Sequence, residues 1–332
     1  MTFIRHFHRT IFSIRTRFAC FALLAVTSSA HADWTLVQAD AHPVVIHETS
    51  LYEAEVGQRL ATNDIVETHG NANLQIEDDT GNVVALGPDT RVLLARDAHI
   101  ALLRGWLKAL NRCDTSLNCH APVIQTAHDR YMPGRDASVV IAASPSGYDD
   151  ADALFCESGS VSVQPVANPR SKVAALQVSA GQFVARHAAM APASAPATTA
   201  SAAPASMAMA ARPDAAFVAA MPVAFRDALH VLPMPKVVRD KPPGTPRPVA
   251  YDDVSDWLQS SLAVRTQPET RFTDRFRARL SDPAFRHEID THLGTLPEWR
   301  VLLHPPPRVV RPAPRRPASS VPSVYRSLFL RP

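Results

Sequence analysis

Residues 74–86 read Leu-Gln-Ile-Glu-Asp-Asp-Thr-Gly-Asn-Val-Val-Ala-Leu, and this stretch decides the fold. Its first apolar residues, Leu74 and Ile76, alternate with polar ones, which is the two-residue period of a half-buried strand. A polar loop, Asp79-Thr80-Gly81-Asn82, separates them from a second apolar strand around Val83–Leu86. Because glycine supplies the positive φ that a tight turn needs, the stretch predicts an antiparallel β-hairpin.

The same pattern recurs from about Val44 to His187. Apolar pairs spaced two residues apart are Val92 and Leu94, Val161 and Val163, and Leu176 and Val178. The loops Glu157-Ser158-Gly159-Ser160 and Ser179-Ala180-Gly181-Gln182 also carry a glycine, so they too predict hairpins. Strands about every ten residues, with no long helix between them, are typical of a β-roll, sandwich or barrel and predict an all-β fold.

Several segments resemble the FecR-domain family, in the family's order. Residues 57–68, Gly-Gln-Arg-Leu-Ala-Thr-Asn-Asp-Ile-Val-Glu-Thr, are similar to its opening, where a glycine precedes a G-D-x-[IV]-x-T step. Asn63 stands where that step has glycine, and asparagine tolerates left-handed backbone. The match continues through an acidic-glycine turn, a Leu-Gly-Pro-Asp-Thr segment, Leu103-Arg104-Gly105-Trp106-Leu107-Lys108, and Val123-Ile124-Gln125-Thr126, after which Ala127 replaces the usual proline.

This resemblance implies a FecR-type β-roll or sandwich of short antiparallel strands over residues 33–187. The residues that carry its fold signature are Gly57, Asp64, Thr68, Gly81, Gly87 and Gly105. Glycines and buried apolar positions shape a backbone, so the resemblance indicates a fold rather than an activity.

Residues 1–32 have the pattern of a secretory signal peptide. Arginines at positions 5, 9, 15 and 17 precede an apolar run from Phe18 to Val26, and Ala30-His31-Ala32 follows. A basic start, a short apolar stretch and an A-x-A site are the parts of a cleavable signal. We expect cleavage after Ala32, a periplasmic or secreted location, and no stable membrane span afterwards. An uncleaved anchor and a buried helix are the alternatives.

Three cysteines follow the signal. Cys113 and Cys119 flank a short polar loop and are the expected disulfide pair, because an exported protein meets an oxidising compartment. Cys156 would then be a free, buried thiol. A zinc site that uses Cys119 and His120 is the alternative, although no C-x-x-C pair or second histidine at ligand spacing accompanies them.

Charge and composition divide the remainder of the chain. Residues 33–187 carry a net charge of −8 and residues 188–332 a net charge of +7. Residues 188–250 are rich in alanine and proline and predict a disordered linker. Residues 251–303 predict a small helical module, and residues 304–332 a disordered basic tail rich in proline and arginine.

The helical module shows helix signals at two places. Asp253 or Ser255 can cap a first helix, whose apolar face holds Val254, Trp257, Leu258 and Leu262. A second helix is expected to start at Ser281-Asp282-Pro283 and to end at Gly294. The module could be a docking element for a partner, or it could pack against the β domain. The sequence leaves both possibilities open.

No catalytic motif stands out, so we expect no catalytic residue, no metal and no cofactor. His287 and His292 are five residues apart, whereas a zinc-binding helix needs four so that both rings share one face. We expect a non-enzymatic cell-envelope scaffold that binds an envelope protein or a cell-wall polymer but no nucleic acid. The alternative is a FecR-like periplasmic signalling regulator, anchored by an uncleaved N-terminal segment. The oligomeric state and the role of the basic tail stay open.

Overall fold

A computed structural model describes residues 34–113, 119–145, 148, 152–166, 174–186 and 207–306. The expected signal peptide and the tail beyond residue 306 lie outside the described residues. The strands are β1 (Trp34–Ala39), β2 (Val44–His47), β3 (Ser50–Glu53), β4 (Arg59–Leu60), β5 (Ile65–Glu67), β6 (Leu74–Asp78), β7 (Val83–Leu86), β8 (Arg91–Leu94), β9 (His99–Leu110), β10 (Val123–Gln125), β11 (Asp129–Pro133), β12 (Ser138–Ala143), β13 (Asp152–Ser158), β14 (Ser160–Pro165), β15 (Leu176–Ser179), β16 (Phe183–Arg186), β17 (Met207–Ala210) and β18 (Arg247–Pro248).

The helices follow the main strands and are short. They are α1 (Ala215–Ala220), α2 (Tyr251–Gln259), α3 (Phe272–Arg275), α4 (Pro283–Thr291) and α5 (Arg300–Leu303). Single 3-10 turns lie at Val223–Phe225, Ala263–Arg265, Arg277–Ser281 and Pro297–Trp299. Within the described ranges, no helix has the length and apolar character needed to cross a membrane.

The strands form two facing sheets, which confirms the expected all-β fold. Sheet A has the order β4-β1-β6-β7-β9-β12-β13-β16-β17. Sheet B has the order β18-β3-β2-β5-β8-β9-β10-β11-β14-β15. The β9–β10 pair is parallel and the other pairs are antiparallel, and the main apolar core fills the space between the sheets.

Strand β9 belongs to both sheets. Its first half pairs with β8 and β10 in sheet B, and its second half pairs with β7 and β12 in sheet A. Gly105 lies at the junction with φ +99°. The side chains that face the core change there from Ile100 and Leu102 to Leu107 and Ala109. The glycine therefore lets one strand bend between the sheets and reverse which face it buries.

The C-terminal part of the chain covers the outer face of both sheets. On sheet A, Phe217 of α1 packs against Trp106 and Phe183, with ring centroids 5.2 and 4.9 Å apart. On sheet B, residues 249–303 bury a second apolar cluster that includes Trp257 and Phe276 against the strands. Covered on both faces, strands such as β7 and β12 are apolar at nearly every position.

This cover corrects the expected linker over residues 188–250. Residues 207–250 are ordered, because β17 pairs with β16 and because Phe217 and Phe225 are fully buried against sheet A. Alanine and proline surround these two phenylalanines in the sequence. The overall composition therefore suggests a linker, although both rings pack into the fold. The part of the expected linker before residue 207 lies outside the described residues.

The helical module packs against sheet B, which is one of the two possibilities that the sequence leaves open. Its first helix starts at Tyr251, earlier than expected, because Asp253 accepts a hydrogen bond from the Ala250 amide at 2.7 Å from inside the first turn. Asp282 caps α4 as expected. That helix ends at Thr291 rather than near Gly294. Beyond its end, the His292 carbonyl accepts the amides of Thr295 and Leu296.

Two expected hairpins are wrong. Residues 79–82 do join the paired strands β6 and β7. In contrast, residues 157–160 join β13 of sheet A to β14 of sheet B, and residues 179–182 join β15 of sheet B to β16 of sheet A. A corner between two sheets needs the same polar, glycine-containing loop as a hairpin, so the local pattern does not distinguish the two.

Candidate binding cleft

A cleft of about 530 Å³ lies where the sandwich meets the helical module. Its sandwich side comes from the loops at residues 47–49 and 62–64, and its helical side comes from residues 268–278. Glu48 and Asn63 have φ values of +51° and +73°, so both loops turn sharply. The left-handed Asn63 agrees with the glycine position that it occupies in the family pattern.

The floor of the cleft is a hydrogen-bonded pair of side chains, His47 and Asp64. The Asp64 carboxylate is 1% exposed, lies 2.7 Å from His47 Nδ1 and accepts the Ala61 amide at 2.8 Å. The hydrogen bond to Asp64 is the main reason that the pKa of His47 is raised above its ordinary value. His47 is half-exposed and lines the cleft.

Arg275 of α3 joins the helical module to the two sandwich loops. Its guanidinium donates to the carbonyl oxygens of Ile46, Glu48 and Asn63 at 2.9, 2.9 and 2.6 Å. Burial lowers the pKa of Arg275 to about 10, so the group stays charged at neutral pH. Its N–H groups donate to backbone oxygens, so Arg275 acts as a positioning residue that holds the two sandwich loops against the helical module.

The rim of the cleft is mainly acidic. Glu48, Glu269 and Asp274 are on the rim, with Arg271 as an exposed cation that lies 3.4 Å from Asp274. Carboxylates beside a histidine suit a polar or cationic group on a ligand. In the part of the chain that the structure describes, no group of three histidine, cysteine, aspartate or glutamate side chains is placed to hold a metal.

Three signature residues come together at the Gly105 junction. Thr68 Oγ1 donates to the Gly87 carbonyl at 2.6 Å and accepts the Thr90 amide at 2.8 Å. Thr90 Oγ1 accepts the Trp106 amide at 2.9 Å. An added Cβ on Gly87 would lie 2.9 Å from Trp106 Cβ. These residues hold the sandwich together and have no access to the cleft.

The remaining signature residues are separate. Gly81 turns the β6–β7 hairpin with φ +86°. Gly57 has φ +90°, and an added Cβ would lie 2.1 Å from the Val237 carbonyl oxygen. The absence of a side chain therefore lets the backbone around Val237 pack closely against Gly57. Asp64 is the signature residue on the cleft. The structure joins Cys113 and Cys119 by a disulfide and leaves Cys156 as a free, buried thiol.

A buried ion pair lies elsewhere, inside the sandwich. Arg186 donates two hydrogen bonds to Asp129, at 2.8 and 2.7 Å. Asp152 accepts Thr126 Oγ1 at 2.6 Å and lies 3.1 Å from His128 Nδ1. Burial raises the pKa of Asp129. These carboxylates bind neighbouring side chains, which indicates a structural role for the cluster.

Another ionic group ties α2 to sheet B. Arg91 Nη2 is 2.7 Å from Glu67, and its other terminal nitrogen bonds Asp256 of α2. Arg104 lies 3.7 Å from the same Asp256 oxygen. Glu67 is 2% exposed and its Oε1 has no hydrogen-bond partner among the described residues. Burial is the main reason that the pKa of Glu67 is raised to about 7.

Sequence reasoning finds one residue of the cleft, Asp64, and misses the others. Asp64 appears in the family pattern, whereas His47, Arg275 and Glu269 carry no signal in their spacing. They are 17 to more than 200 positions from Asp64 along the chain. A tertiary contact of that separation leaves no local periodicity from which it could be inferred.

Known proteins offer few matches to this chain. No protein-family model matches it, and no curated protein matches it. Two crystal structures of a "putative anti-sigma factor" from Parabacteroides distasonis, at 1.65 and 2.50 Å resolution, match with 12% identity and a TM-score of 0.33. Each match covers 47% of this chain and 62% of the other, so this chain spans less than two thirds of that protein.

Proposed function

We propose that this chain is a non-enzymatic, FecR-like protein of the bacterial cell envelope that acts by binding another envelope component. The observation that carries the proposal is the cleft at Asp64. A signature residue of the family pattern forms its floor, and two separately built parts of the chain form its walls. Ligand sites occur preferentially where such parts meet.

The geometry of the cleft favours recognition. Asp64 and His47 hold each other, and Arg275 is fixed by three backbone oxygens. Fixed polar groups bind a partner without losing much side-chain freedom, which raises affinity. We therefore place the envelope protein or cell-wall polymer at this cleft. Hydrolysis of an envelope polymer by the purified protein would contradict the non-enzymatic part of the proposal.

Export is the second part of the proposal, and it rests on the pattern of residues 1–32. Cell fractionation with sequencing of the mature N-terminus tests it. A soluble envelope protein that starts at Asp33 is expected, which would make the chain periplasmic or secreted. An uncleaved chain in the inner membrane would contradict the proposal that the mature protein is soluble.

That uncleaved outcome would support a second candidate, a FecR-like signalling regulator anchored by its N-terminal segment. The same sequence resemblance stands behind it. The matched crystal structures carry an anti-sigma description, which agrees with this candidate but adds no weight at a TM-score of 0.33. In this candidate the cleft would face a partner protein in the envelope.

Site-specific photocrosslinking in cells tests binding at the cleft. A benzoylphenylalanine at Glu269, on the rim, should give a protein or polymer adduct. The same residue at Val301, which is exposed on α5 outside the cleft, is the matched control. Replacing Asp274 by lysine should weaken the Glu269 adduct at least about tenfold. Equal adducts from Glu269 and Val301 would rule out the cleft as the binding site.

A further inference from the structure

Residues 231–248 form a surface segment, which we call the proline ribbon, and the chain bends at residues 236–237, 240–241 and 243–244. It reads Val-Leu-Pro-Met-Pro-Lys-Val-Val-Arg-Asp-Lys-Pro-Pro-Gly-Thr-Pro-Arg-Pro and so holds six prolines in eighteen residues. The ribbon links the cover of sheet A to the cover of sheet B, and most of its residues are exposed. It lines no part of the Asp64 cleft.

Hydrogen bonds fix the ribbon at both ends and in the middle. At its start, Gln75 Nε2 donates to the carbonyl of the preceding His230 at 2.8 Å, and the Leu232 amide donates to the Glu77 carboxylate at 2.7 Å. In the middle, the Arg239 amide and carbonyl bond Gly57 and Arg59 at 2.8 Å each. At the end, Arg247 and Pro248 pair with β3. A segment held in this way has little conformational freedom left to lose on binding.

Large apolar side chains project from the ribbon into solvent. Val231, Met234, Val237 and Val238 are 50%, 46%, 57% and 39% exposed. Val56, 42% exposed, adjoins them, because the next residue is bonded to Arg239. A run of exposed apolar side chains on an ordered segment is typical of an interaction surface.

The ribbon is also basic. It carries Lys236, Arg239, Lys241 and Arg247 against a single aspartate, which is a net charge of +3. Arg239 pairs with Glu55, and Arg247 pairs with Asp253. Within the described ranges, Lys236 and Lys241 have no ion-pair partner among the carboxylates, and both are exposed. Two free cations therefore flank the apolar residues.

We infer that the proline ribbon is a docking segment for a partner protein that presents a groove of aromatic rings bordered by carboxylates. Proline fixes φ and biases the preceding residue toward polyproline II, so the prolines restrict the backbone on either side of the bends. Aromatic grooves bind such segments because little entropy is lost. Carboxylates at the border would pair with Lys236 and Lys241. This inference does not depend on the function proposed for the Asp64 cleft.

Photocrosslinking of the full-length protein in cells tests the inference. The probe is benzoylphenylalanine at Val238, with Val301 as the control position. We expect a protein adduct from Val238 alone, with the modified peptide of the partner containing aromatic and acidic residues. A synthetic peptide of residues 231–248 should compete with the adduct when added to permeabilised cells.

Two double variants test whether the adduct depends on the prolines and the lysines of the ribbon. Pro233→Ala with Pro246→Ala, and separately Lys236→Glu with Lys241→Glu, should each reduce the Val238 adduct at least tenfold. Pro305→Ala with Pro306→Ala changes two exposed prolines outside the ribbon and should leave it unchanged. An unaltered melting temperature shows that each variant is folded. Loss of the adduct by all three variants, a lipid adduct, equal adducts from Val238 and Val301, or no adduct would each overturn the inference.

Discussion

Gly105 and Thr90 touch where β9 passes from sheet B to sheet A. A Cβ added to Gly105 would lie 2.4 Å from Thr90 Oγ1 and 2.5 Å from Thr90 Cα. The same hydroxyl accepts the Trp106 amide and bonds the Trp106 carbonyl oxygen at 3.1 Å. The bend of the shared strand therefore needs a residue without a side chain at position 105. Thr90, opposite it, forms hydrogen bonds with the backbone of the next residue, Trp106.

Gly105→Ala should be strongly destabilising. The methyl group would collide with the Thr90 backbone, so we expect a loss of more than about 3 kcal/mol in the free energy of unfolding. Gly70→Ala is the matched control, because Gly70 also has positive φ but has no atom within 4 Å of the added Cβ. That change should cost about 1 kcal/mol. Urea unfolding measures both, and equal losses would contradict the steric argument.

Glu67 should make stability depend on pH. Its pKa rises from 4.5 to about 7 on folding, so the folded state binds its proton more tightly than the unfolded state. The resulting stabilisation is complete below pH 4.5 and is lost as the pH rises through about 7. Between pH 5 and pH 8, the wild type should lose roughly 2 kcal/mol more than Glu67→Gln. Parallel stability profiles for the two proteins would exclude Glu67 as the titrating group.

Arg275→Met should loosen the helical module. The change leaves three carbonyl oxygens of the sandwich loops without their donor, which costs about 2–3 kcal/mol. Arg277→Met is the control, because Arg277 is exposed and pairs with Asp274 at 3.1 Å. A surface pair of this kind contributes about 0–1 kcal/mol. Limited proteolysis should cut the Arg275→Met protein faster within residues 250–303, and equal rates for both variants would contradict the positioning role.

Peptide mass mapping without reduction tests the thiol assignment. Cys113 and Cys119 should appear in one linked peptide. Cys156 should react with an alkylating reagent only after denaturation, because it is fully buried in the core. Two free thiols at positions 113 and 119, or rapid alkylation of Cys156 in the native protein, would contradict the assignment.

Local periodicity predicts the strands better than their partners. The alternation at Leu74 and Ile76 correctly places the β6–β7 hairpin, with Ile76 opposite Val84. The loops at Gly159 and Gly181 are also polar and glycine-containing but cross between the sheets. Whether a glycine loop closes a hairpin or turns a corner depends on which strand the next segment meets, and that is set by contacts far apart in sequence.

The cover of sheet A is the part of the fold that the sequence hides most. Phe217, Met221 and Phe225 recur every four residues in an alanine-rich context, and all three pack on the sheet. That spacing is the signal that would have found the cover. The Asp64 cleft is hidden for a related reason, since its second wall exists only after the helical module has packed.

The cover also fixes the order in which the chain can finish folding. Translation proceeds toward the C-terminus, so strands β1 to β16 emerge before the residues that shield their outer faces. Until Phe217 and Phe225 have packed, the outer face of β12 at Val140 and Ala142 is bare and can attract other chains. The order of the chain therefore leaves the sandwich open to association with other chains until its own C-terminal residues have packed.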